Sequence, residues 1–410
     1  MIPESRYTVL THNTECLKTL RLHNSRYKLS QQYEHTGTCE WFTKSPEYSD
    51  WLSTEGSGLF FIEGKPGSGK TTLLRFLTKH LKLPANGIVA KFFYSHMDGE
   101  LGRSHKNMLQ CLLHEILKKD ESLFVHFQQA YRNLKDSEAD QSTKAWEYGE
   151  LKAVLKACLR HPLKRTFFLI IDAIDESDDG ERADMVDLLR EISRPAKPTG
   201  CVVKVLFASR PMNEIRHVNI PAVQRIRLQE KNGKDIEVYT DHLVKKRVFT
   251  SYGDGNRKEI KDYIDKHADG VFLWVRVVGR ELEKCCQNGM STDTVLTFLK
   301  SLPKEIEGYY EFILQRLKDG EDDARDGTRV LQFCLFSHRD VELLELRDAL
   351  GIRQPLSSFD LAPSLWEKYR PVDIRSRLTS CVGGFVEIKS ISDSQGRVSG
   401  KSLSSDVSTC

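Results

Sequence analysis

The chain carries the pattern G-x-x-x-x-G-K-[ST] at Gly64, Gly69, Lys70 and Thr71, inside the stretch LFFIEGKPGSGKTTLLRF of residues 59–76. Residues of these types at this spacing hold phosphate. The glycines let successive main-chain N–H groups turn toward one anion, and a helix starting directly behind them adds the partial positive charge of its N-terminus. The turn and the start of the helix behind it comprise Gly64, Lys65, Pro66, Gly67, Ser68, Gly69, Lys70, Thr71 and Thr72. The Lys70 ammonium would sit on the β and γ phosphates and the Thr71 hydroxyl on Mg2+.

A phosphate site that uses Mg2+ also needs a carboxylate at the end of a neighbouring buried strand. The stretch TFFLIIDAIDES, residues 166–177, ends an apolar run in Asp172 and continues to Asp175 and Glu176. Asp172 would hold the metal through water, and Asp175 or Glu176 would orient or activate an attacking water. The acids of DESDDGER equally suit the start of a helix. A third stretch, VVKVLFASRP at 202–211, ends in Ser209 and Arg210. That is where an open α/β sheet meets its ligand, so Arg210 would sense the terminal phosphate or the metal-bound carboxylates. The sequence contains no N-K-x-D guanine reader, no L-S-G-G-Q, no H-E-x-x-H and no C-x-x-C pair.

These groups must be carried by particular elements. Short apolar runs at 59–62, 88–95, 166–172, 202–209 and 223–228 alternate with helical patterns. HKNMLQCLLHEILKK places Met108, Leu109, Leu112, Leu113, Ile116 and Leu117 on one stripe. Strands that are apolar on both faces and alternate with helices predict a parallel five-stranded sheet covered by helices. After about residue 232 the β signal stops and four helical patterns follow. Residues 325–391 mix helices with one strand, GGFVEIKSI, and the serine-rich last twenty residues are predicted to be disordered.

Composition sets the bounds. A chain of 410 residues suggests two or three domains, and 39% hydrophobic with 29% charged residues suits a soluble globular protein. A formal net charge of +3 gives no global reason to expect nucleic acid or an anionic membrane. The one dense basic stretch, KYRPVDIRSR at 368–377, reads as a solvated helix face, so nucleic acid is not an expected partner. No run reaches the roughly 20 apolar residues of a membrane span, and MIPESRYTVL lacks a signal-peptide core. Ten scattered cysteines, with Cys285 and Cys286 adjacent, fit a reducing intracellular compartment. Trp274 in FLWVRVV reads as a core aromatic.

Together EGKPGSGKTTLLRFL, FFLIIDAIDES and VLFASRP resemble the P-loop, Walker B and sensor 1 segments of NACHT NTPases, the signal-transducing ATPases that include NOD-like receptors. The likeness is to the fungal group whose module is also described as nephrocystin-type. It extends through GTCEWF…SDWL, SHKNMLQCLLHEIL, HADGVFLWVRVV and SLPKEIEGYYEFILQRL, covering about residues 30–390.

The resemblance implies an N-terminal extension over 1–34 and an α/β NACHT P-loop NTPase domain over 35–231. An α-helical lid domain over 232–320, a partial winged-helix domain over 321–391 and a disordered tail over 392–410 would follow. It implies that Gly64 to Thr72 wrap the phosphates of ATP or ADP with Mg2+, and it implies base contacts around Gly37–Trp41, a cytoplasmic nucleotide switch and self-association. Ala173 stands where many related ATPases carry an acid, so hydrolysis is expected to be slow or absent. The chain is expected to lack an effector domain before residue 30, repeats after the winged helix, and part of the winged helix itself. Two alternatives stand beside the switch: a turnover ATPase, and a non-catalytic scaffold or truncated receptor fragment.

Overall fold

The structure is a computed structural model. It describes residues 13–20, 34–138, 146–194, 200–212, 215, 224–305, 308, 309, 311, 312, 315, 321–337, 341–352, 367–382, 386–392 and 398–405. The chain forms two compact units. The first is Met1–Leu243 with Tyr263–Phe272, and the second is Val244–Asp262 with Leu273–Cys410.

In the first unit, helices α1 (Glu40–Thr43) and α2 (Pro46–Ser53) precede β1 (Gly58–Glu63), which runs through the glycine turn into α3 (Lys70–His80). There follow β2 (Gly87–Phe93), α4 (His105–Lys119), α5 (Phe124–Glu138), α6 (Tyr148–Leu159), β3 (Arg165–Asp172), α7 (Arg182–Ile192), β4 (Cys201–Ser209) and β5 (Arg225–Arg227). The five strands are parallel in the order β2-β3-β4-β1-β5, as the alternation of apolar runs and helices predicts.

Both faces of β1, β3 and β4 are dry. Successive β1 side chains point to opposite sides. Leu59 and Phe61 join a core with residues of α4, α6 and α7, while Phe60 and Ile62 join a second core with residues of α2 and α3. That double burial is why the strands read as continuous apolar runs. Register levels the chemistry at one edge, where Glu63 pairs with Ser209 and Phe93 with Asp172, so the loops after β1, β3 and β4 leave the sheet side by side.

Lys204 breaks the apolar pattern of β4 and is nevertheless 2% exposed. Its ammonium donates to the carbonyl oxygens of Trp51 (2.6 Å) and Thr54 (2.7 Å), so it caps the C-terminal end of α2. Burial pushes its pKa down from 10.5 to about 8. The unfolded chain therefore binds the proton more tightly than the folded one, and stability rises with pH between about 8 and 10.5. Urea titrations of wild type and Lys204→Met across that window are expected to show this rise in wild type and its loss in the variant. Equal slopes would contradict the burial of a charged Lys204.

The first unit closes with α8 (Gly233–Val244) and the last turns of α9 (Asp254–His267), ending in the turn that starts α10 (Phe272–Gln287). In this unit Asn232 and Asp235 hydrogen-bond into segments that precede them by about 160 residues or more.

In the second unit, the face of α10 that carries Trp274, Val275, Val278 and Leu282 is buried, as its apolar spacing predicts. The Trp274 indole donates to the Pro303 carbonyl (2.8 Å), and α11 (Thr292–Ser301) is capped by the Ser291 hydroxyl. Beyond it lie α12 (Glu321–Phe336), β6 (Val341–Glu342), α13 (Leu343–Gly351), α14 (Ile374–Cys381), β7 (Val386–Ser392) and β8 (Val398–Ser405). Buried Asp326 of α12 takes an ion pair from Arg377 of α14 at 2.7 Å.

One sequence expectation is corrected here. The predicted disordered tail over 392–410 contains β8, which is the central strand of an antiparallel sheet in the order β6-β8-β7. Main-chain pairing tolerates the serines, and Leu403 lies opposite both Ile388 and Val341. Among the described residues no helix is long and apolar enough to cross a membrane.

Candidate functional site: a phosphate cradle beside two acidic turns

The turn after β1 is built by its glycines. Gly67 and Gly69 have φ of 68° and 96°, the left-handed region where a side chain is strained. At Gly64 an added Cβ would fall 2.5 Å from the Ser68 hydroxyl oxygen. The Lys70 ammonium arches back over the turn and donates to the carbonyl oxygens of Gly64 (2.8 Å) and Lys65 (3.1 Å). The Gly64 N–H donates to Ser209 of β4, which fixes the start of the turn to the sheet. Residues 58–80 thus form the strand–turn–helix that their sequence predicts.

Across the turn, the Thr71 hydroxyl lies 2.6 Å from a carboxylate oxygen of Asp172, which is fully buried at the end of β3. The sequence pairs these two residues by chemistry alone, and the fold brings them together from 101 positions apart. A hydroxyl and a carboxylate oxygen are hard donors of the kind Mg2+ takes, with waters and substrate phosphates completing its shell. The residues present fit that ion. Among the described residues no group of three or more His, Cys, Asp or Glu could hold a metal by itself.

After Asp172 the chain takes an unusual step. Ala173 has φ 55°, uncommon for a residue with a Cβ, and turns the backbone into a single 3-10 turn over Ile174–Glu176. Asp175 and Arg210 form one unit. Arg210 gives its main-chain N–H to one Asp175 oxygen (3.0 Å) and its Nε to the other (3.1 Å). Glu176 turns the other way and accepts the main-chain N–H of His96 (3.2 Å). The three residues proposed from sequence for hydrolysis and sensing therefore lie in one neighbourhood, with Asp175 directed at Arg210.

Sequence reasoning missed a second ring of residues. Asn232, 1% exposed, donates through its amide to the carbonyl oxygens of Ser68 and Gly270, both at 2.9 Å. Lys65 pairs with Asp269, and its main-chain N–H donates to the Gln229 side chain (3.3 Å). A Cβ on Gly69 would touch the Phe272 ring at 3.5 Å. Asp235, in the first turn of α8, accepts from the Cys39 main-chain N–H (2.9 Å) and the Trp41 indole N–H (2.8 Å). Burial raises its pKa, against the pull of those two hydrogen bonds. Nothing in the sequence marks Asn232 or Asp235, because asparagine and aspartate near a helix start are ordinary caps.

The fold and the cradle define a P-loop NTPase. Residues 37–210 match the family described as Nephrocystin 3, N-terminal. The vegetative incompatibility protein HET-E-1 of Podospora anserina is 25% identical over 324 residues, which take in 77% of this chain and 23% of that protein. The chain thus spans less than a quarter of the length of that relative. Both are likenesses of part of this chain, the first confined to residues 37–210, which contain the glycine turn, Asp172 and Arg210.

Solved structures with similarity include a chain of Drosophila ORC bound to DNA, at 12% identity and TM-score 0.41, covering 97% of this chain and 89% of that one. Another is Cdc6p from Pyrobaculum aerophilum, at 14% identity and TM-score 0.35, covering 94% and 93%.

Proposed function

We propose that this chain is a nucleotide-operated signalling switch, holding ATP or ADP with Mg2+ and hydrolysing ATP slowly or not at all. The observation that carries this reading is the Thr71 hydroxyl set 2.6 Å from buried Asp172 at the head of a helix that follows Gly69. In the proposed roles, Gly64–Thr72 wrap the phosphates, Thr71 binds Mg2+ and Asp172 holds it through water. Bound Mg2+ supplies charge that screens the phosphate oxygens. Arg210 senses the terminal phosphate through its pair with Asp175.

Slow hydrolysis is supported by two features. Ala173 supplies no acid directly after Asp172, and both Asp175 oxygens are engaged by Arg210. The state of the nucleotide then biases the segments that follow, which we read as a helical domain and a winged-helix domain, between resting and self-associating forms. We infer a cytoplasmic role in a fungal signalling pathway of the kind that vegetative incompatibility represents.

Calorimetric titration of the purified chain with ATP, ADP and GTP, with and without Mg2+, tests this. Binding of an adenine nucleotide is expected, strengthened by Mg2+. In Asp172→Asn, which keeps an acceptor for Thr71, the Mg2+ affinity is expected to fall about tenfold or more. No binding of any nucleotide by the wild type would reject the switch.

A further inference from the structure

The chain between β2 and α4 leaves the sheet at Tyr94 and returns at His105. On the way it touches the turn after Asp172 at three places. The His96 N–H donates to Glu176 (3.2 Å), the Arg103 carbonyl accepts the Asp178 N–H (3.0 Å), and His105 Nε2 meets the Asp178 carbonyl at 2.9 Å. Behind them, the Tyr94 hydroxyl lies 2.8 Å from His105 Nδ1.

Hydrogen-bond chemistry fixes the direction of this chain. A carbonyl oxygen can only accept, so Nε2 carries the proton. Nδ1 is then bare and accepts from the Tyr94 hydroxyl. Tyr94 is 0% and His105 2% exposed, so rotating the ring would leave several buried polar groups unmatched. Burial lowers the pKa of His105 and raises that of Tyr94, so both stay neutral.

The excursion has a fixed shape of its own. Ser95 N–H donates to the Gly102 carbonyl (3.0 Å), and Gly102 packs so closely on Ser95 that a Cβ has no room. From the far side, Arg182 of α7 donates to the Ser177 hydroxyl (3.0 Å) and to the Asp175 carbonyl (3.4 Å). The acidic turn is clamped from two elements, and of its two acids Glu176 is the one aimed by the excursion.

We propose that His105 is a positioning residue for nucleotide hydrolysis, acting through the Asp178 carbonyl on the turn that carries Glu176, so that the carboxylate held by the His96 N–H is aimed at the attacking water. This rests on the nucleotide site proposed above. In that step the water oxygen bonds to the terminal phosphorus as the bond from phosphorus to the bridging oxygen breaks. ADP and phosphate leave, and the proton released by water passes by way of Glu176 to solvent. Misplacing such a group by about 1 Å lowers a rate on the order of a hundredfold.

The test is single-turnover ATP hydrolysis with Mg2+ by the full chain, alongside ATP affinity and amide hydrogen exchange of residues 176–178. His105→Ala is expected to slow hydrolysis about 10- to 100-fold, to leave ATP affinity within about twofold, and to speed exchange at Glu176 and Asp178. His105→Gln, whose amide N–H can reach the Asp178 carbonyl, is expected to recover most of the rate. Glu176→Gln should drop to the same floor, and adding His105→Ala to it should cost nothing further.

Additive losses in the double variant, or His105→Ala hydrolysing like wild type, would overturn the proposal. So would ATP binding by wild type with no measurable turnover, which leaves the nucleotide site standing. Failure of wild type to bind ATP would instead take down the site itself. Should His105→Ala not fold, the near-isosteric Tyr94→Phe carries the same comparison with Glu176→Gln.

Discussion

Replacing Lys70 with alanine is expected to lower the affinity for ATP about a hundredfold or more, with little change in the stability of the fold. The Lys70 ammonium lies across the turn between Gly69 and Gly64, tied to two carbonyl oxygens on its near side. It therefore holds its charge over the same turn that we propose wraps the phosphates. A hydrogen bond between charged groups contributes about 1.5–3 kcal/mol, and an ammonium on two phosphates makes at least two of them. At about 1.4 kcal/mol per decade, that corresponds to two or more orders of magnitude in affinity.

The alanine also gives up two bonds to turn carbonyls. Those oxygens can turn to water, so the loss in unfolding free energy should stay near 1 kcal/mol. Lys70→Arg is not a conservative control, because a planar fork cannot replace a compact point charge inside a glycine turn. Calorimetry on wild type and Lys70→Ala, with thermal melts beside it, reads both quantities. Undiminished ATP binding by a folded variant would remove Lys70 from the site and leave the turn as a structural feature.

The parts of the molecule legible in its sequence are those whose information is local. Strands β1, β3 and β4 announce themselves because each is buried on both faces, and the cradle does so because glycines, lysine and threonine stand at fixed spacing within eight residues. Asp172 was legible for a mixed reason, since an apolar run ending in an acid beside such a cradle has few other uses.

What stayed hidden depends on which segments fold together. Asn232 is one amide among many until Ser68 and Gly270 are both within its reach. Asp235 resembles any first-turn acid, yet it holds Cys39 and Trp41. The pairing of Asp175 with Arg210 could not be read from either stretch alone, and it changes what Asp175 can do. The strand Val398–Ser405 was missed because its two apolar residues, Val398 and Leu403, lie among serines, and its partners rather than its own propensity decide it.

The same dependence on distant partners makes Gly270→Ala a strongly damaging change, at about 3 kcal/mol of stability together with weakened nucleotide binding. Gly270 has φ 75°, where a Cβ carries a penalty of about 1–2 kcal/mol. The added Cβ would also fall 2.5 Å from the Gln229 Cα, a main-chain atom that cannot swing aside as a flexible side chain could. Overpacking of that kind costs about 1–3 kcal/mol more.

Relief requires the turn to move away from Gln229, and two contacts carry that movement into the cradle. The Gly270 carbonyl shares the Asn232 amide with Ser68, and the Gln229 side chain accepts the Lys65 N–H. Gly255→Ala is the matched control. Its Cβ would meet nothing within 4 Å, and it lies inside α9, so alanine should stabilise by up to about 1 kcal/mol. Urea unfolding and ATP titration of the two variants should therefore diverge in both readouts. If Gly270→Ala instead matched wild type in both, the turn would not be seated on the phosphate loop, and Asn232 would be no more than the helix cap it resembles.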